Sequence, residues 1–294
     1  MADQEWLADR FEEHRTHLRA VAHRMLGSLT EADDAVQEAW LRLSRAGASE
    51  VENLQAWLTT VVARVCLNTL RSRNVRREES LPVHVPDPVV ASPEEQALLA
   101  DSVGLALLVV LDTLAPAERL AFVLHDMFQL PFEQIAPVVG RTPVAARQLA
   151  SRARRRIRGA EVPAPDADLA RQRRVVDAFF QAARDGDFEA LVALLDPEVV
   201  LRLDAGAGAF APSMERRGAA VVARQALRGL RSALPGSQVR PALVNGAAGV
   251  IVAVDGRAAT VMGFTVSDGR IVEIDAIADA ERVARIAAAL LPIE

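Results

Sequence analysis

A chain of 294 residues, 51% hydrophobic and 25% charged, is long enough for two or three domains with cores of their own and too apolar for a disordered or collagen-like class. It has no apolar run of membrane-spanning length, opens on the acidic Met1-Ala2-Asp3-Gln4-Glu5 and carries one cysteine, Cys66, so a membrane span, a secretory leader, a disulfide framework and a zinc site are not expected, and a cytoplasmic location is. The net charge of −5 conceals segregation: all 34 basic residues are arginine, and two stretches free of acids, 53–77 and 134–160, hold 5 and 7 of them.

The first third reads as helix. Trp6, Leu7, Phe11, Leu18, Val21, Ala22, Met25 and Leu26 recur at helical spacing until Gly27-Ser28, and Thr30 three before Asp33 is a capping-box start for the next helix. Ala35, Val36, Ala39, Trp40, Leu41 and Leu43 carry that helix to Ser44, and a polar loop from Ala46 to Asn53 leads to a third, from Leu54 into the first arginine cluster. Pro82, Pro86, Pro88 and Pro93 mark residues 80–93 as a linker. Ser92-Pro93-Glu94-Glu95 then restarts helix, and three short helices open near Ala115-Pro116, Pro131-Phe132 and Thr142-Pro143. A second linker, 159–168, holds Pro163 and Pro165. Beyond it, helix over 169–195 precedes a strand at 199–203, helix near 216–234, and strands at 238–244, 248–254, 258–266 and 270–277. Asp255-Gly256 and Ser267-Asp268-Gly269 are hairpin turns.

Two of these segments have an evident chemistry. Over 131–157, the apolar stripe Phe132, Ile135, Ala136, Val139 is followed by Gly140 and by a helix capped by Thr142 that bears Arg147, Gln148, Ser151, Arg152, Arg154 and Arg155. Two short helices joined at glycine, the second cationic, make a helix-turn-helix. Arg and Gln near the start of such a helix suit base edges, and later arginines suit phosphates. In the second helix, Asp33, Asp34, Gln37 and Glu38 share a sector away from Ala35 and Val36. An acidic face repels DNA and suits a basic protein partner, although acids near a helix start are also dipole-favoured surface. His14, His17, His23, His84 and His125 have no metal spacing and read as structural.

The run Glu31-Ala32-Asp33-Asp34-Ala35-Val36-Gln37-Glu38-Ala39-Trp40-Leu41-Arg42-Leu43 resembles the polymerase-binding helix of bacterial sigma factors. With the helix-turn-helix in the right order, residues 1–158 resemble a two-domain sigma factor of the extracytoplasmic-function group. The resemblance implies that Asp33, Asp34, Gln37 and Glu38 dock on the β′ clamp helices of core RNA polymerase. It implies that the 46–53 loop and the following helix, through Asn53, Trp57, Arg64, Arg71 and Arg73, contact and open the minus-ten element. Thr142, Arg147, Gln148, Ser151, Arg152, Arg154 and Arg155 would contact the minus-35 element. Only 4% of the chain is aromatic and Trp57 also suits a core, so strand opening is expected to rely on a base held in the 46–53 loop.

Val175 to Leu191, with Phe179-Phe180 and Asp185-Gly186-Asp187, resembles the opening of a SnoaL-like domain, a cone-shaped α+β fold around a pocket. Sigma factors carrying such a domain form a subgroup, and Arg147-Gln148-Leu149-Ala150-Ser151-Arg152-Ala153-Arg154 resembles its recognition helix. Val162-Pro163-Ala164-Pro165 resembles the end of its Trp-Leu-Pro-Glu-Pro linker motif. Asp204-Ala205-Gly206-Ala207-Gly208 stands where the subgroup has Asp-Gly-Gly-Gly-Lys, with two glycines changed and the lysine missing. Asp279-Ala280-Glu281-Arg282-Val283 stands where it has Asn-Pro-Asp-Lys-Leu. The resemblance implies regulation through intramolecular contacts of the third domain with the sigma modules, at Pro163, Pro165, Asp204, Gly206, Asp279 and Arg282. A tether of about ten residues raises the effective concentration to the millimolar scale. A rival reading makes the third domain an isomerase- or cyclase-like enzyme using Asp204, Glu273 or Asp275 in its pocket, but no His follows residue 125 and no Tyr exists to relay protons.

The expected architecture is therefore a sigma region 2 domain at 1–79, a linker at 80–93, a region 4 helix-turn-helix domain at 94–158, a linker at 159–168 and a SnoaL-like domain at 169–294. No catalytic residue, metal or cofactor is expected, the partners are core polymerase and promoter DNA, and a third-domain ligand is left open. The other class kept in view is a stand-alone helix-turn-helix regulator that binds duplex without polymerase.

Overall fold

The computed structural model describes residues 2–46, 53–76, 83–92, 104–160, 163–206, 212–232, 237–288 and 290. They fall into two compact units, 1–80 with 110–161, and 81–109 with 162–294.

In the first unit, α1 (Ala2–Leu26), α2 (Leu29–Ala46) and α3 (Leu54–Arg76) form a bundle. Leu18, Val21 and Met25 of α1, Ala35, Val36 and Leu43 of α2, and Leu58, Val62 and Cys66 of α3 are fully buried in it. Gly27, in the left-handed region at φ 67°, lets the chain reverse between α1 and α2. The second module holds the end of α4 (Leu105–Asp112), α5 (Pro116–Phe122), a π-helical turn at Val123–Met127, α6 (Phe132–Val139) and α7 (Pro143–Gly159). Three openings expected from Pro and Thr signals lie where the helices begin, whereas the Ser92–Glu95 start runs into 93–103, outside the described residues.

The two modules pack together within this unit, α3 lying against α5 and α6. Arg119 of α5 is 1% exposed. Its Nε and Nη2 donate to the Arg24 carbonyl at the end of α1, 3.2 and 3.1 Å away, and its Nη1 donates to Asp112 at 2.9 Å. A buried guanidinium is tolerable only with its donors engaged in this way.

The second unit is a seven-stranded mixed sheet in the order β1-β4-β5-β6-β7-β2-β3, formed by β1 (Val90–Ala91), β2 (Leu195–Asp204), β3 (Met214–Arg217), β4 (Gln238–Val244), β5 (Ala247–Val254), β6 (Arg257–Ser267) and β7 (Arg270–Ile277). β2 and β7 are parallel and the other pairs antiparallel. Helices α8 (Leu169–Asp185), α9 (Phe188–Leu194) and α10 (Ala219–Ser232) cover one face, and α11 (Ala280–Ala287) packs on β6. Phe179, Phe180 and Phe264 meet edge to face in the core at centroid distances of 5.6–5.9 Å. This is the α+β architecture, helices over one face of a mixed sheet, expected after the helical modules. Asn245-Gly246, Asp255-Gly256 and Asp268-Gly269 turn the three hairpins, every residue at positive φ, as two-residue loops between twisted strands require.

Three details differ from the sequence reading. The helix expected over 169–195 is broken by Gly186, left-handed at φ 74°, and recapped by Asp187, which accepts from the Ala190 N–H. The helix expected near 216–234 begins at Ala219 because Met214–Arg217 pairs with β2 as an edge strand. The proline-rich stretch expected as a linker is built into the second unit: Val85, Pro86, Asp87 and Pro88 are buried and Val90–Ala91 pairs antiparallel with β4.

Candidate functional site

The helix-turn-helix is set by local chemistry. Gly140 ends α6 in the left-handed conformation, and the Arg141 N–H returns to the Ala136 carbonyl at 3.0 Å. Thr142 caps α7 by accepting from the Ala145 N–H, with Pro143 at the first helical position. Ala146, Ala150 and Ala153 are buried beneath α7, and their small side chains let it lie close to the module. Opposite them Arg147, Gln148, Ser151, Arg152 and Arg155 are exposed and form no ion pair among the described residues. The Arg147 guanidinium rests over the Phe132 ring at 5.3 Å, holding the side chain out along the helix. Arg154 leaves the predicted set: its Nε donates to Asp126 at 2.7 Å with both partners half-buried. Arg156 is likewise engaged by Glu118 at 3.2 Å. Val144, which the sequence reading passed over, stands 63% exposed in the first turn.

Asp33, Asp34, Gln37 and Glu38 all lie on the outer side of α2, above the buried Ala35, Val36 and Ala39. Asp33 takes a two-point bond from Arg19 at 2.6 and 3.1 Å, and Glu38 one from Arg42 at 2.8 Å. Such exposed pairs are weak enough to exchange for a partner's cations. A cleft of about 440 Å³ between α1 and α2, floored by Phe11 and Trp40, is rimmed by Glu12, Arg15, Asp33 and Gln37.

On α3, the predicted set divides. Asn53, Trp57, Arg64 and Arg71 recur at intervals that return to one stripe of the helix, within about 40° of one another, and Asn53, Arg64 and Arg71 are exposed while Trp57 is half-buried. Asn53 also caps α3, accepting from the Ala56 N–H at 2.9 Å. Arg73 lies about 200° around the helix from Asn53 and faces the bundle, where it pairs with Glu31 and donates to the Leu26 carbonyl at 2.9 Å. Its side chain thus ties α3 to the end of α1 and the start of α2. The loop assigned to strand opening is 47–52 in its greater part, outside the described residues.

In the second unit Asp204, Gly206, Asp279 and Arg282 converge. Asp279 caps α11 by accepting from the Arg282 N–H at 2.9 Å. Gly206, at φ 73°, donates to Asp204 at 3.1 Å, and a Cβ there would overlap the Asp279 carboxylate. Arg282 binds Asp204 and Asp87 at 2.7 Å each and the Val85 carbonyl. Asp204 also accepts from the Val85 N–H at 3.0 Å and lies 3.2 Å from His84 Nδ1. Burial opposes ionisation of Asp204, but the bonds from His84, Val85 and Arg282 outweigh it and hold the carboxyl well below the usual range. The Asn245 side chain and N–H bind the N–H and carbonyl of Val89 at 2.7 and 2.8 Å. Pro163 and Pro165 do not join this cluster. Beside them Asp166 docks on the β6–β7 turn, accepting from the Asp268 and Gly269 N–H groups.

Against known proteins, Sigma-70 region 2 matches residues 10–76 and Sigma-70 region 4 matches residues 104–157. The ECF RNA polymerase sigma factor SigJ of Mycobacterium tuberculosis is 37% identical over 287 residues, covering 92% of this chain and 91% of that protein. The chain belongs to the extracytoplasmic-function RNA polymerase sigma factors. The probable sigma factor SigI of M. tuberculosis is 39% identical over 214 residues, 71% of this chain and 73% of that one. The crystal structure of M. tuberculosis SigJ superposes with a TM-score of 0.73 at 35% identity, covering 94% of this chain and 97% of that chain.

The residues that meet Arg282 and Asp204 in this sigma factor, His84, Val85 and Asp87, were missed as site residues. The stretch read as a plain linker because Pro82, Pro86, Pro88 and Pro93 punctuate it with few helix formers between them.

The acids of the rival enzymatic reading lie on the wrong face. Leu201, Leu203, Ile274 and Ala276 line a cavity, so the alternating Arg202, Asp204, Glu273 and Asp275 point to the opposite side of the sheet. There Arg202 binds Asp275 at 3.1 Å and Glu273 at 3.2 Å, with Glu215 at 3.8 Å. Burial pushes the Asp275 carboxyl up to about 6, with Arg202 pulling it down and Glu273 and Glu215 adding to the rise. Among the described residues no group of three or more His, Cys, Asp or Glu is placed to hold a metal ion, and no helix is long and apolar enough to cross a membrane.

Proposed function

We propose that this chain is an alternative sigma factor that binds core RNA polymerase, directs it to promoters, and is tuned by its own C-terminal domain. The observation that carries the reading is the open cationic face of α7, where Arg147, Gln148, Ser151, Arg152 and Arg155 stand exposed behind a Thr142 cap, a shape and charge suited to the major groove of the minus-35 element. The outer face of α2 supplies the acids for the β′ clamp helices, and the Asn53–Trp57–Arg64–Arg71 stripe of α3 supplies a cationic track for the minus-ten element. The chain acts in the cytoplasm with the polymerase and performs no chemistry of its own, consistent with sheet carboxylates that face away from the cavity.

Regulation rests on the 84–91 segment. It joins the two modules in sequence, yet Arg282, Asp204, Asn245 and β4 hold it to the C-terminal domain. That grip shortens the free chain between the modules and so limits the span over which they reach their two promoter elements. The test is run-off transcription with purified core. Transcripts from a cognate promoter that depend on this protein support the reading, and none beyond core alone overturns it. Co-purification with core separates a sigma factor from a regulator that binds duplex alone.

A further inference from the structure

The cavity of the second unit has a chemistry that the sigma function does not use. It measures about 380 Å³ and lies between α8, α10 and one face of the sheet, a size that accommodates a small organic molecule. Strand alternation decides its lining. Leu201 and Leu203 of β2 and Ile274 and Ala276 of β7 turn inward, and the ionisable residues between and beside them turn outward. Among the described residues, the side chains lining it include no charged group, and their polar members are Gln225, Ser237 and Thr260. The space exists because small residues surround it, namely Ala183, Ala226, Gly229, Ala259 and Ala276. Close-packed interiors do not leave such room unfilled where larger apolar side chains would serve.

We infer that this cavity is a binding site for a neutral, largely hydrocarbon small molecule, oriented by hydrogen bonds to Gln225 or Thr260 and released unchanged. A charged ligand would lose its hydration without finding a counter-ion. A reaction requiring acid or base would find neither, because the nearest carboxylates lie across the sheet.

The full-length protein is titrated with the neutral dye N-phenylnaphthylamine and, in parallel, with its anionic relative anilinonaphthalene sulfonate. Saturable fluorescence enhancement by the neutral dye at one site per chain is expected, with the sulfonate binding roughly tenfold or more weakly. Ala226→Phe fills the cavity and should weaken the neutral dye by roughly the same factor. Gly229→Leu serves as an independent filling, since a Cβ at 229 meets nothing within 4 Å; circular dichroism verifies that each variant is folded. Three results overturn the inference: no saturable binding, equal affinity for both dyes, or binding that survives filling in a folded variant. The titration involves neither polymerase nor DNA, so its outcome is independent of the transcription test.

Discussion

Arg282 holds two buried carboxylates. Its guanidinium sits between Asp87 and Asp204, both nearly inaccessible, and also takes the Val85 carbonyl. Arg282→Ala would leave two buried carboxylates with one shared cation removed, so a loss of roughly 3 kcal/mol is expected, measured by denaturant unfolding of the second unit. A loss below about 0.5 kcal/mol would mean that the contact behaves as an exposed pair. Asp275 predicts a pH dependence of defined sign. Its carboxyl is pushed up to about 6 in the fold from about 3.9 in an unfolded chain, so between these values the folded state holds more protons. Its contribution is full below about pH 4 and lost as pH rises through about 6. Asp275→Asn removes that titration, and unfolding midpoints should fall less between about pH 5 and pH 7 in the variant than in the parent. Asp204, held below the usual range, contributes in the opposite sense, its stabilisation being lost as pH falls below about 4.

At the scale of single elements, α7 predicts three distinguishable phenotypes. Arg147→Ala should cost roughly 1–3 kcal/mol and relax base choice at one minus-35 position, whereas Arg155→Ala should weaken all sequences alike and reduce the salt slope by about one; anisotropy titrations against duplexes at several salt concentrations read both. Arg154→Ala should instead lower thermal stability, because its partner Asp126 is left half-buried and unpaired, and leave the salt slope where it was. The sequence carried part of this division. Gly140, Thr142 and Pro143 placed α7, but the sequence reading kept Arg73 with Asn53, Trp57, Arg64 and Arg71, although helical spacing sets it about 200° away. Arg154 had no such marker. It borders the exposed face, and only the packing of the Asp126 turn beside α7 turns it inward.

For the whole molecule, the decisive feature is the course of residues 84–91. A proline-rich run with few helix formers reads as a tether, but the same extended backbone suits a sheet edge, where proline needs no ladder partner. β1 covers the β4 edge, while the opposite edge at β3 is blunted by Glu215, Arg216 and Arg217. If this grip sets the reach between the modules, Arg282→Ala should broaden the range of minus-35 to minus-ten spacings that support transcription by the holoenzyme, measured on a promoter series of varied spacer length. An unchanged spacer profile would show that the segment is anchored for stability alone.

What the sequence determined by itself is what is encoded within a turn or two of chain: the helical stripes, the Thr142 cap, the Asp-Gly hairpins, the acidic α2 and the cationic α7, and with them the order of the modules. Such signals are local because capping, hairpin twist and amphipathic period depend on neighbouring residues. The tertiary structure alone decided which charges are free. Arg73, Arg154 and Arg156 find carboxylates 42, 28 and 38 residues away, and the 84–87 segment meets Asp204 and Arg282 at separations of 119 and 195 residues. Those pairings arise only when packing brings distant elements within hydrogen-bond reach, and the buried charges among them need a partner once they are desolvated.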